Sequence, residues 1–433
     1  MKYVLLSLIL FPTFLVATTI TEVIKNVVYT NPSVFVKKEG LNVEVDKLKE
    51  ANSKYFPSVD LSFSIGPEVT KTPSNNGEKA SLTRREASVI ITQNIFSGFK
   101  TTATVAQQKS QILLAQNNLQ SSVENIALDT ALAYIDVLKK RALYNIAKDN
   151  VLVHFKYLSK IKEKLDAGMA VNSDYVQTLS RYENAKSVEF LATQDYLTAV
   201  YSLKRLSPDI NITSLEEPIL GKLPAQTTKD LVQLAMQTNS DLLVSNANIK
   251  VAESTVKIAK SEYYPTIDFV FRAYDNKNVH GVGYKTQTNP NPISKDSGYS
   301  GLIVIKYNLF NGFASYARNE ISKNTLLKRR MALKDTKLFI KTKIKVALTT
   351  YKVTKKRIKH IEKYVQASKK AVSDYLEEYD LGRRTIIDLL NIELEYNNAR
   401  NLQINAKYDL IKSYYQLLSY TGYLLKDMDI AIE

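Results

Sequence analysis

The chain has 433 residues, a formal net charge of +16, and neither cysteine nor tryptophan. Without cysteine it has no disulfide, thiolate metal ligand, thiol nucleophile or cysteine-linked lipid, and its three histidines are too scattered to suggest a metal site. Only 13 glycines and 11 prolines are present, a composition that favours long helices with few turns. No metal or cofactor is expected.

The first residues have the pattern of a secretory signal peptide. Lys2 precedes an apolar run that ends at the small residue Ala17, and polar residues follow. This run is too short to span a membrane, and no later stretch has about 18 uninterrupted apolar residues. A buried core helix is the weaker alternative, so we expect residues 1–17 to be removed on export.

The rest of the chain consists of two similar copies, predicted as 18–220 and 221–433. SKYFPSVD at 53–60 matches SEYYPTID at 261–268, an offset of 208 residues. NIFSGFKT at 94–101 matches NLFNGFAS at 308–315, an offset of 214 residues. Collinear matches continue toward the carboxyl terminus of each copy, which indicates an internal duplication.

The first copy begins with a predicted helix over about 33–54, which Pro57 ends. Two strands of about ten residues are predicted next, on either side of the polar loop 71–79. The first strand alternates apolar and polar residues, and the second is SVIITQNIF, at 88–96. Helical spacing then continues over 99–167, about 100 Å if fully helical. Gly168 predicts a turn, and a shorter helix follows over 172–206.

The second copy repeats this order of elements. A helix is predicted over 241–262, two strands flank the polar loop 275–298, and a long helix follows Gly312. Gly382 predicts a turn before the last helix, 385–420. Mostly small residues recur every seven positions on the two shorter helices, which predicts close packing and left-handed supercoiling: Thr178, Ala185, Ala192, Ala199, Ile392, Ala399, Ala406 and Ser413.

Four amphipathic strands are too few to close a barrel, and an open edge cannot lie in lipid because its backbone groups would lack partners. Three chains would supply twelve strands, an even number within the range of outer-membrane barrels. The predicted fold class is therefore an internally duplicated α+β membrane protein. Its long α-helical coiled-coil barrel would continue into a transmembrane β-barrel with four strands per chain and 12 in a trimer. A small soluble sheet capped by helices is the alternative.

A family resemblance is carried by the repeated F-(S/N)-G-F segments, the YFP and YYP helix ends, and LGRRTIIDLLN at 381–391. The counterpart of this last segment is AGMAVNSDYV at 167–176. On these features the chain resembles the TolC-like outer-membrane efflux factors, which include type I secretion outer-membrane proteins. The resemblance implies a homotrimer in the outer membrane of a Gram-negative-type cell, with a helical tunnel in the periplasm. Drug efflux and type I protein secretion remain open as its task.

The resemblance also implies partners and a gate. The partners are a periplasmic adaptor protein, an inner-membrane ABC or proton-driven transporter, and outer-membrane lipid. By position, the links that close the tunnel fall on Asp174, Tyr379 and Arg384, and Asp388 would form an acidic ring in the pore. The next ring, usually acidic in the family, is Asn391 here, which predicts weaker block by cations. An ordinary surface pair between Arg384 and Asp388 is the alternative.

The glycine-containing segments complete the candidate site. The turns at Gly168 and Met169, and at Gly382 and Arg383, would contact the adaptor, and opening would move the helices around the two glycines. The repeated junctions would mark where a strand becomes a helix, with the glycines allowing the bend and the phenylalanines near the membrane interface. Their residues are Phe96, Gly98, Phe99, Phe310, Gly312 and Phe313.

Much of the positive charge lies in 328–370, where 16 lysines and arginines accompany only Asp335 and Glu362. We interpret this stretch as a solvated face or one that contacts anionic surroundings. Nucleic acid is not expected, because the stretch lacks a base-reading motif and export argues against it.

Two other classes of protein are the alternatives. An exported periplasmic coiled-coil structural or adaptor protein without a pore would use the helices but not the two strand pairs. An enzyme is not expected, because the sequence has no phosphate-binding loop, metal constellation or serine elbow.

Overall fold

In the computed structural model, the described residues are 18–71, 77, 79–279 and 295–431. The predicted signal peptide, 1–17, lies outside them, as do 72–76, 78, 280–294 and 432–433. The chain forms two compact units, and each draws on both sequence copies. The first comprises Met1–Lys38, Asn118–Leu243 and Asp335–Glu433, and the second comprises Glu39–Asn117 and Val244–Lys334. The proposed repeat boundary at 220/221 falls within the first unit and stays a prediction.

The element order repeats, as the duplication predicts. The longest helices, α3 and α7, have 67 residues each, and α4 and α8 have 35 each. The helices are α1 (Ile20–Thr30), α2 (Pro32–Ser53), α3 (Lys100–Asp166), α4 (Asn172–Leu206), α5 (Thr228–Thr238), α6 (Ser240–Lys260), α7 (Ala314–Asp380), α8 (Ile386–Tyr420) and α9 (Leu424–Asp427). The strands are β1 (Ser58–Thr70), β2 (Ala80–Phe96), β3 (Thr266–Lys277) and β4 (Lys295–Lys306).

The short helices α1 and α5 were not predicted from the sequence, and the strands are longer than predicted. The first residues of α1 and α5 are fixed by the side chains of Thr19 and Thr227, which accept hydrogen bonds from backbone amides. The strands have 13, 17, 12 and 12 residues. They exceed the predicted ten because the ladder continues through polar residues, so β3 and β4 extend into the segment 275–298 that was predicted as loop.

In the second unit the four strands form one antiparallel sheet in the order β1-β2-β3-β4. Its register separates two faces, because alternate residues of a strand point to opposite sides. One row across the sheet joins Leu61, Val89, Ala273 and Tyr299, and the next row joins Ser62, Ser88, Tyr274 and Gly298. One face is therefore largely apolar and the other largely polar, and Leu61 on the apolar face is 79% exposed.

In the first unit, helices pack through small side chains. Six of the eight residues in the predicted seven-residue rows are buried, namely Thr178, Ala185, Ala199, Ala399, Ala406 and Ser413. The fully buried Tyr134 hydroxyl donates to the backbone oxygens of Thr18 and Glu216, at 2.8 and 2.7 Å. This contact fixes the segment after the predicted cleavage site beside the connection between α4 and α5. Among the described residues, no helix combines the length and apolarity that crossing a bilayer requires.

Candidate functional site

The two helical turns of the first unit have the same backbone. Gly168 and Gly382 both have φ of 73°. The amide of Met169 donates to the Lys164 carbonyl at 2.7 Å, and the amide of Arg383 donates to the Glu378 carbonyl at 2.8 Å. These bonds satisfy carbonyls at the ends of α3 and α7, as in a Schellman motif. Both glycines, Met169 and Arg383 are exposed.

The helices that follow these turns begin differently. Thr385 and Asp388 form a capping box, in which the Asp388 amide donates to Thr385 Oγ1 and the Thr385 amide donates to Asp388 Oδ2, both at 3.2 Å. At the corresponding position before α4 stands Val171, which has no side-chain cap. The carboxylate of Asp174 therefore does not cap the start of α4, whereas its counterpart Asp388 caps the start of α8.

The predicted gate residues are not linked to one another within the chain. Tyr379 is 5% exposed, and its hydroxyl has no hydrogen-bond partner in the described part of the chain. Arg384 Nε donates to Glu378 Oε2 at 2.7 Å, and the guanidinium carbon lies 4.0 Å from the Tyr375 ring centroid. Asp174 makes no ion pair with any described residue. A link from Asp174 to Tyr379 or Arg384 stays a prediction.

The close ion pair of Arg384 is with Glu378, and the Arg384 charge acts on Asp388 only through the weaker lowering of its carboxyl pKa, so the alternative pair stays untested. Asp388 accepts hydrogen bonds from the side chain and backbone of Thr385, and these bonds lower the pKa of its carboxyl. Asp388 is therefore ionised at neutral pH. Asn391 is exposed, and its Oδ1 accepts a hydrogen bond from Arg181 Nη2 at 3.5 Å.

A set of contacts that the sequence did not indicate joins α3 to α7. Lys160 forms an ion pair with Asp380, and Lys164 Nζ lies 4.2 Å from the Tyr379 ring centroid. These contacts place two lysine side chains against the predicted gate tyrosine. Nothing in the local sequence of either helix identifies the pairing, since it depends on how the helices lie side by side.

A buried pair joins α3 to α8 in the same region. The Tyr157 hydroxyl donates to Glu393 Oε1 at 3.0 Å, and burial raises the pKa of the Glu393 carboxyl. Here the sequence did hold a signal, because Glu393 continues the helical spacing of the buried Ile386, Leu389 and Leu390. A carboxylate in an apolar row indicates a buried partner.

The two strand-to-helix junctions in the second unit share an unusual backbone. Gly98 and Gly312 have φ of 63° and 64°, and the following Phe99 and Phe313 have φ of 66° and 65°. The sequence predicted the glycines but not the phenylalanines, because a bulky residue rarely adopts positive φ. Each phenylalanine packs edge-on against the one three residues earlier, Phe96 or Phe310, with ring centroids 5.2 and 5.4 Å apart.

The junctions differ in their surroundings. A Cβ on Gly98 would lie 2.5 Å from the Ser261 carbonyl oxygen and 2.8 Å from Tyr264 Cβ. A Cβ on Gly312 would meet no atom of the described residues within 4 Å. Phe99 also packs edge-on against Tyr264, with ring centroids 5.7 Å apart. In the described residues no such third ring lies against Phe313.

The comparisons with known proteins agree with this geometry. The structure superimposes on the Campylobacter jejuni CmeC outer membrane channel with a TM-score of 0.81, at 15% identity, covering 94% of this chain and 86% of that one. The sequence is 21% identical over 418 residues to the outer membrane efflux protein BepC of Brucella suis, covering 94% of this chain and 86% of BepC. It is also 21% identical over 438 residues to the outer membrane protein TolC of Escherichia coli, covering 97% and 85%.

A four-stranded sheet joined through glycine junctions to two very long helices defines the fold of outer-membrane channel proteins. The family model described as "Outer membrane efflux protein" matches residues 25–207 and 231–423, so the chain belongs to that family. The predicted fold class, the TolC-like family and the outer-membrane location are thereby confirmed. The family consists of channels rather than enzymes, and the alternative of a pore-free periplasmic rod is set aside.

Proposed function

We propose that three copies of the chain form an outer-membrane exit duct that is closed at its helical turns. A periplasmic adaptor and an inner-membrane ABC or proton-driven transporter would recruit it for export of small molecules or proteins. The observation that carries this proposal is the incomplete sheet. Within the part of the chain that the structure describes, its outer strands β1 and β4 each have an unpaired edge, and a largely apolar face is exposed. Closing the sheet with further copies would satisfy both edges in lipid.

The junction after β4 supports the same closure. Gln93–Phe96 are the last residues of β2 and lie beside β3, beyond the end of the β1 ladder at Thr92. Their counterparts in the second copy, 307–310, follow the end of β4 and have no ladder partner among the described residues. A second copy that adds its β1 beside β4 would supply that partner. The open space at Gly312 would then receive the counterparts Ser53 and Phe56 of the second copy, as Gly98 receives Ser261 and Tyr264.

The duplication gives a register for this contact. Within the chain Asn94 lies opposite Asp268, and its Nδ2 donates to Asp268 Oδ1 at 2.7 Å. The sequence counterparts of this pair are Asn308 and Asp60. We therefore expect Asn308 of one copy to lie opposite Asp60 of the next, within the distance that a disulfide spans.

A double variant with Asn308→Cys and Asp60→Cys tests this register, and the chain has no other cysteine. After oxidation in membranes, non-reducing gels should show a covalent trimer that reverts to monomer on reduction. The matched control pairs Asn308→Cys with Leu61→Cys, because Leu61 points to the opposite face. It should give little cross-linking. Two outcomes would contradict the proposed trimer: only monomer in the double variant with Asn308→Cys and Asp60→Cys, or as much cross-linking in the control as in that variant.

The gate proposal places Asp174, Tyr379 and Arg384 in the closing links and Asp388 in an acidic ring, with Asn391 as a weaker neighbour. The lowered pKa of Asp388 supports a charged ring at neutral pH. The exposed turns at Gly168, Met169, Gly382 and Arg383 support an adaptor contact, because their side chains and backbone are accessible. The proposed path of opening is an outward movement of the helices around the two glycines.

Charge reversal tests the gate. Arg384→Glu and Asp174→Lys should each raise single-channel conductance in planar bilayers, because each breaks a closing link. The double variant Arg384→Glu with Glu378→Arg rebuilds the ion pair seen within the chain. It should remain open if the closing partner is Asp174. Unchanged conductance in both single variants, or closure restored in the double variant, would contradict the assignment.

Two further features complete the proposal. Phe96, Phe99, Phe310 and Phe313 would lie near the membrane interface, where strands pass into helices. The signal peptide 1–17 would be removed to leave Thr18, whose amide donates to the Ser214 carbonyl at 3.0 Å. Amino-terminal sequencing of the mature protein tests this step, and a first residue well after Thr18 would contradict it.

A further inference from the structure

The basic stretch of α7 has an ordered surface in the first unit. Two rows of exposed lysines run along the helix at seven-residue spacing. The first row is Lys345, Lys352 and Lys359, and the second is Lys356, Lys363 and Lys370. Together they extend over about 38 Å at the rise of an α-helix. We call these six residues the lysine rows.

The lysine rows have little neutralising charge around them. Glu362 is the one acidic residue between Lys345 and Lys370. Among the described residues, Lys370 pairs with Asp374, and the other five lysines of the rows form no ion pair. Lys352 donates to the backbone oxygen of Gln226 at 2.9 Å. Uncompensated charges of one sign along a rigid helix create an attractive field for anions.

The other sides of α7 are occupied or apolar. Buried side chains recur every seven residues at Ile340, Ala347, Thr354, Ile361 and Ser368, and these face the chain's own core. A second row, Phe339, Val346 and Val353, is apolar but exposed. Around a helix with this repeat, the apolar row lies about 130° from the middle of the buried seam, and the lysine rows lie in the wider remaining arc.

The inference rests on the proposed trimer. In that trimer, the positions of the buried seam and the apolar row determine which way the lysine rows point. The exposed apolar row requires cover, and a neighbouring helix of the tunnel wall would supply it. In a closed ring of helices, each helix contacts two neighbours. Measured around the axis of that helix, the angle between the two contacts is less than 180° on the side that faces the lumen. The wider arc therefore faces outward, away from the transported cargo.

The chemistry of the rows favours an extended polymer over a folded protein. Protein interfaces are enriched in aromatic residues and arginine and depleted in lysine. The lysine rows carry no aromatic side chain, and a lysine ammonium acts as a point charge that accepts many anion geometries. Outside a tunnel that crosses the periplasm, the extended polyanion is the cell wall, whose stem peptides carry free carboxylates.

We propose that the lysine rows of α7 bind the carboxylates of peptidoglycan and so hold the duct in the cell wall. The binding is electrostatic, so it should weaken at high salt. It depends on several lysines acting together, because a single exposed ion pair contributes little.

The test is co-sedimentation of the detergent-purified full-length protein with purified peptidoglycan sacculi. A variant with Lys345, Lys356, Lys359 and Lys363 changed to glutamine should bind the sacculi with an affinity reduced on the order of tenfold or more. The matched control changes Lys37, Lys148, Lys156 and Lys229 to glutamine. These are exposed lysines of other helices, without an ion pair among the described residues. The control should bind as the wild type does, and sacculi with amidated carboxylates should bind neither protein.

Planar-bilayer recordings of the same proteins separate this inference from the proposed function. Equal ion selectivity in the wild type and the lysine-row variant is expected for an outward face. A shift of the variant toward cations would place the rows in the lumen and overturn the inference, as would equal loss of sacculus binding in the control. A wild type that forms no pore would contradict the proposed function instead. Binding of a purified adaptor, lost in the variant while sacculus binding persists, would also overturn the inference.

Discussion

The two strand-to-helix junctions have nearly the same sequence and the same backbone, yet one is packed and the other is open. At Gly98 the residues after α6, Ser261 and Tyr264, fill the space that a side chain would need, whereas no described atom lies within 4 Å of a Cβ placed on Gly312. Phe99 has two aromatic neighbours and Phe313 has one. The same backbone geometry therefore occurs in two different environments. The first junction is packed by other residues of the chain, and the second is left open by the residues that the structure describes.

Alanine at the two glycines gives the largest expected effect. In Gly98→Ala the left-handed backbone and the clash with Ser261 together cost about 3 kcal/mol, whereas Gly312→Ala costs about 1–2 kcal/mol within one chain. In the proposed trimer a second copy crowds Gly312 as well. Both variants should then lose heat-resistant trimer on semi-native gels, with Gly312→Ala retaining wild-type helical circular dichroism. Wild-type trimer yield in Gly312→Ala would show that no neighbour packs there.

Removing the phenylalanine rings should give the next largest effect. Phe99→Ala deletes contacts with Phe96 and Tyr264, about 2 kcal/mol in total, while Phe313→Ala deletes one contact within the chain, about 1 kcal/mol. The counterpart of Tyr264 is Phe56, which a second copy would bring to Phe313. The temperature at which the trimer dissociates should therefore fall by the same amount in both variants. A clearly milder Phe313→Ala would exclude the contact with Phe56.

The two helical turns extend the comparison, because α8 has a capping box and α4 lacks one. Thr385→Ala should destabilise the first turn of α8 by about 1 kcal/mol, and Val171→Thr should stabilise α4 by a similar amount through a new box with Asp174. Hydrogen–deuterium exchange of the peptides that contain these turns measures both changes locally. Faster exchange in Thr385→Ala without slower exchange in Val171→Thr would mean that Asp174 already has another partner in the assembly.

The smallest expected effect is on pH dependence. His154 is 5% exposed, and burial, followed by the nearby Arg181, lowers its pKa from the ordinary 6.5. The unfolded state therefore binds more protons than the folded state below about pH 6.5, and stability falls as the pH drops toward the lowered pKa. The second copy has Ser368 at the equivalent position, and its hydroxyl donates to the Tyr364 carbonyl at 2.8 Å.

His154→Ser should consequently flatten the decrease in thermal midpoint between neutral and mildly acidic pH. The exposed His360 provides the matched control, and His360→Ser should leave the slope unchanged. Equal slopes in the wild type and His154→Ser would show that His154 is already hydrated in the folded protein.

Much of the helical and strand structure could be predicted from local pattern. Pro57 and Pro265 end helices because proline cannot continue them, and α4 begins and ends at the predicted residues 172 and 206. Pattern was weaker for α1 and α5, which are short, and for the strand ends, where pairing with a neighbour extends the ladder. The positive φ of Phe99 and Phe313 was not predictable, because surrounding structure enforces a conformation that the residue itself disfavours.

The candidate site divides in the same way. The positions of the turns and of Asp388 followed from the duplicated sequence, whereas the partners of Arg384 and Tyr379 did not. Arg384 pairs with Glu378, six residues away across the turn, and Lys164 lies over Tyr379 from another helix. Such contacts depend on the relative rotation of packed helices, which periodicity alone does not specify.

The sequence by itself determined the duplication, the alternation of apolar and polar residues along the strands, and the glycines at the turns and junctions. These are local properties, fixed by covalent geometry and by the period of each backbone conformation. Only the tertiary structure decided that Gly98 is crowded and Gly312 open, and that lysines fill one side of α7 while a buried seam fills another. Both depend on which surfaces meet, since packing joins residues that lie far apart in the chain.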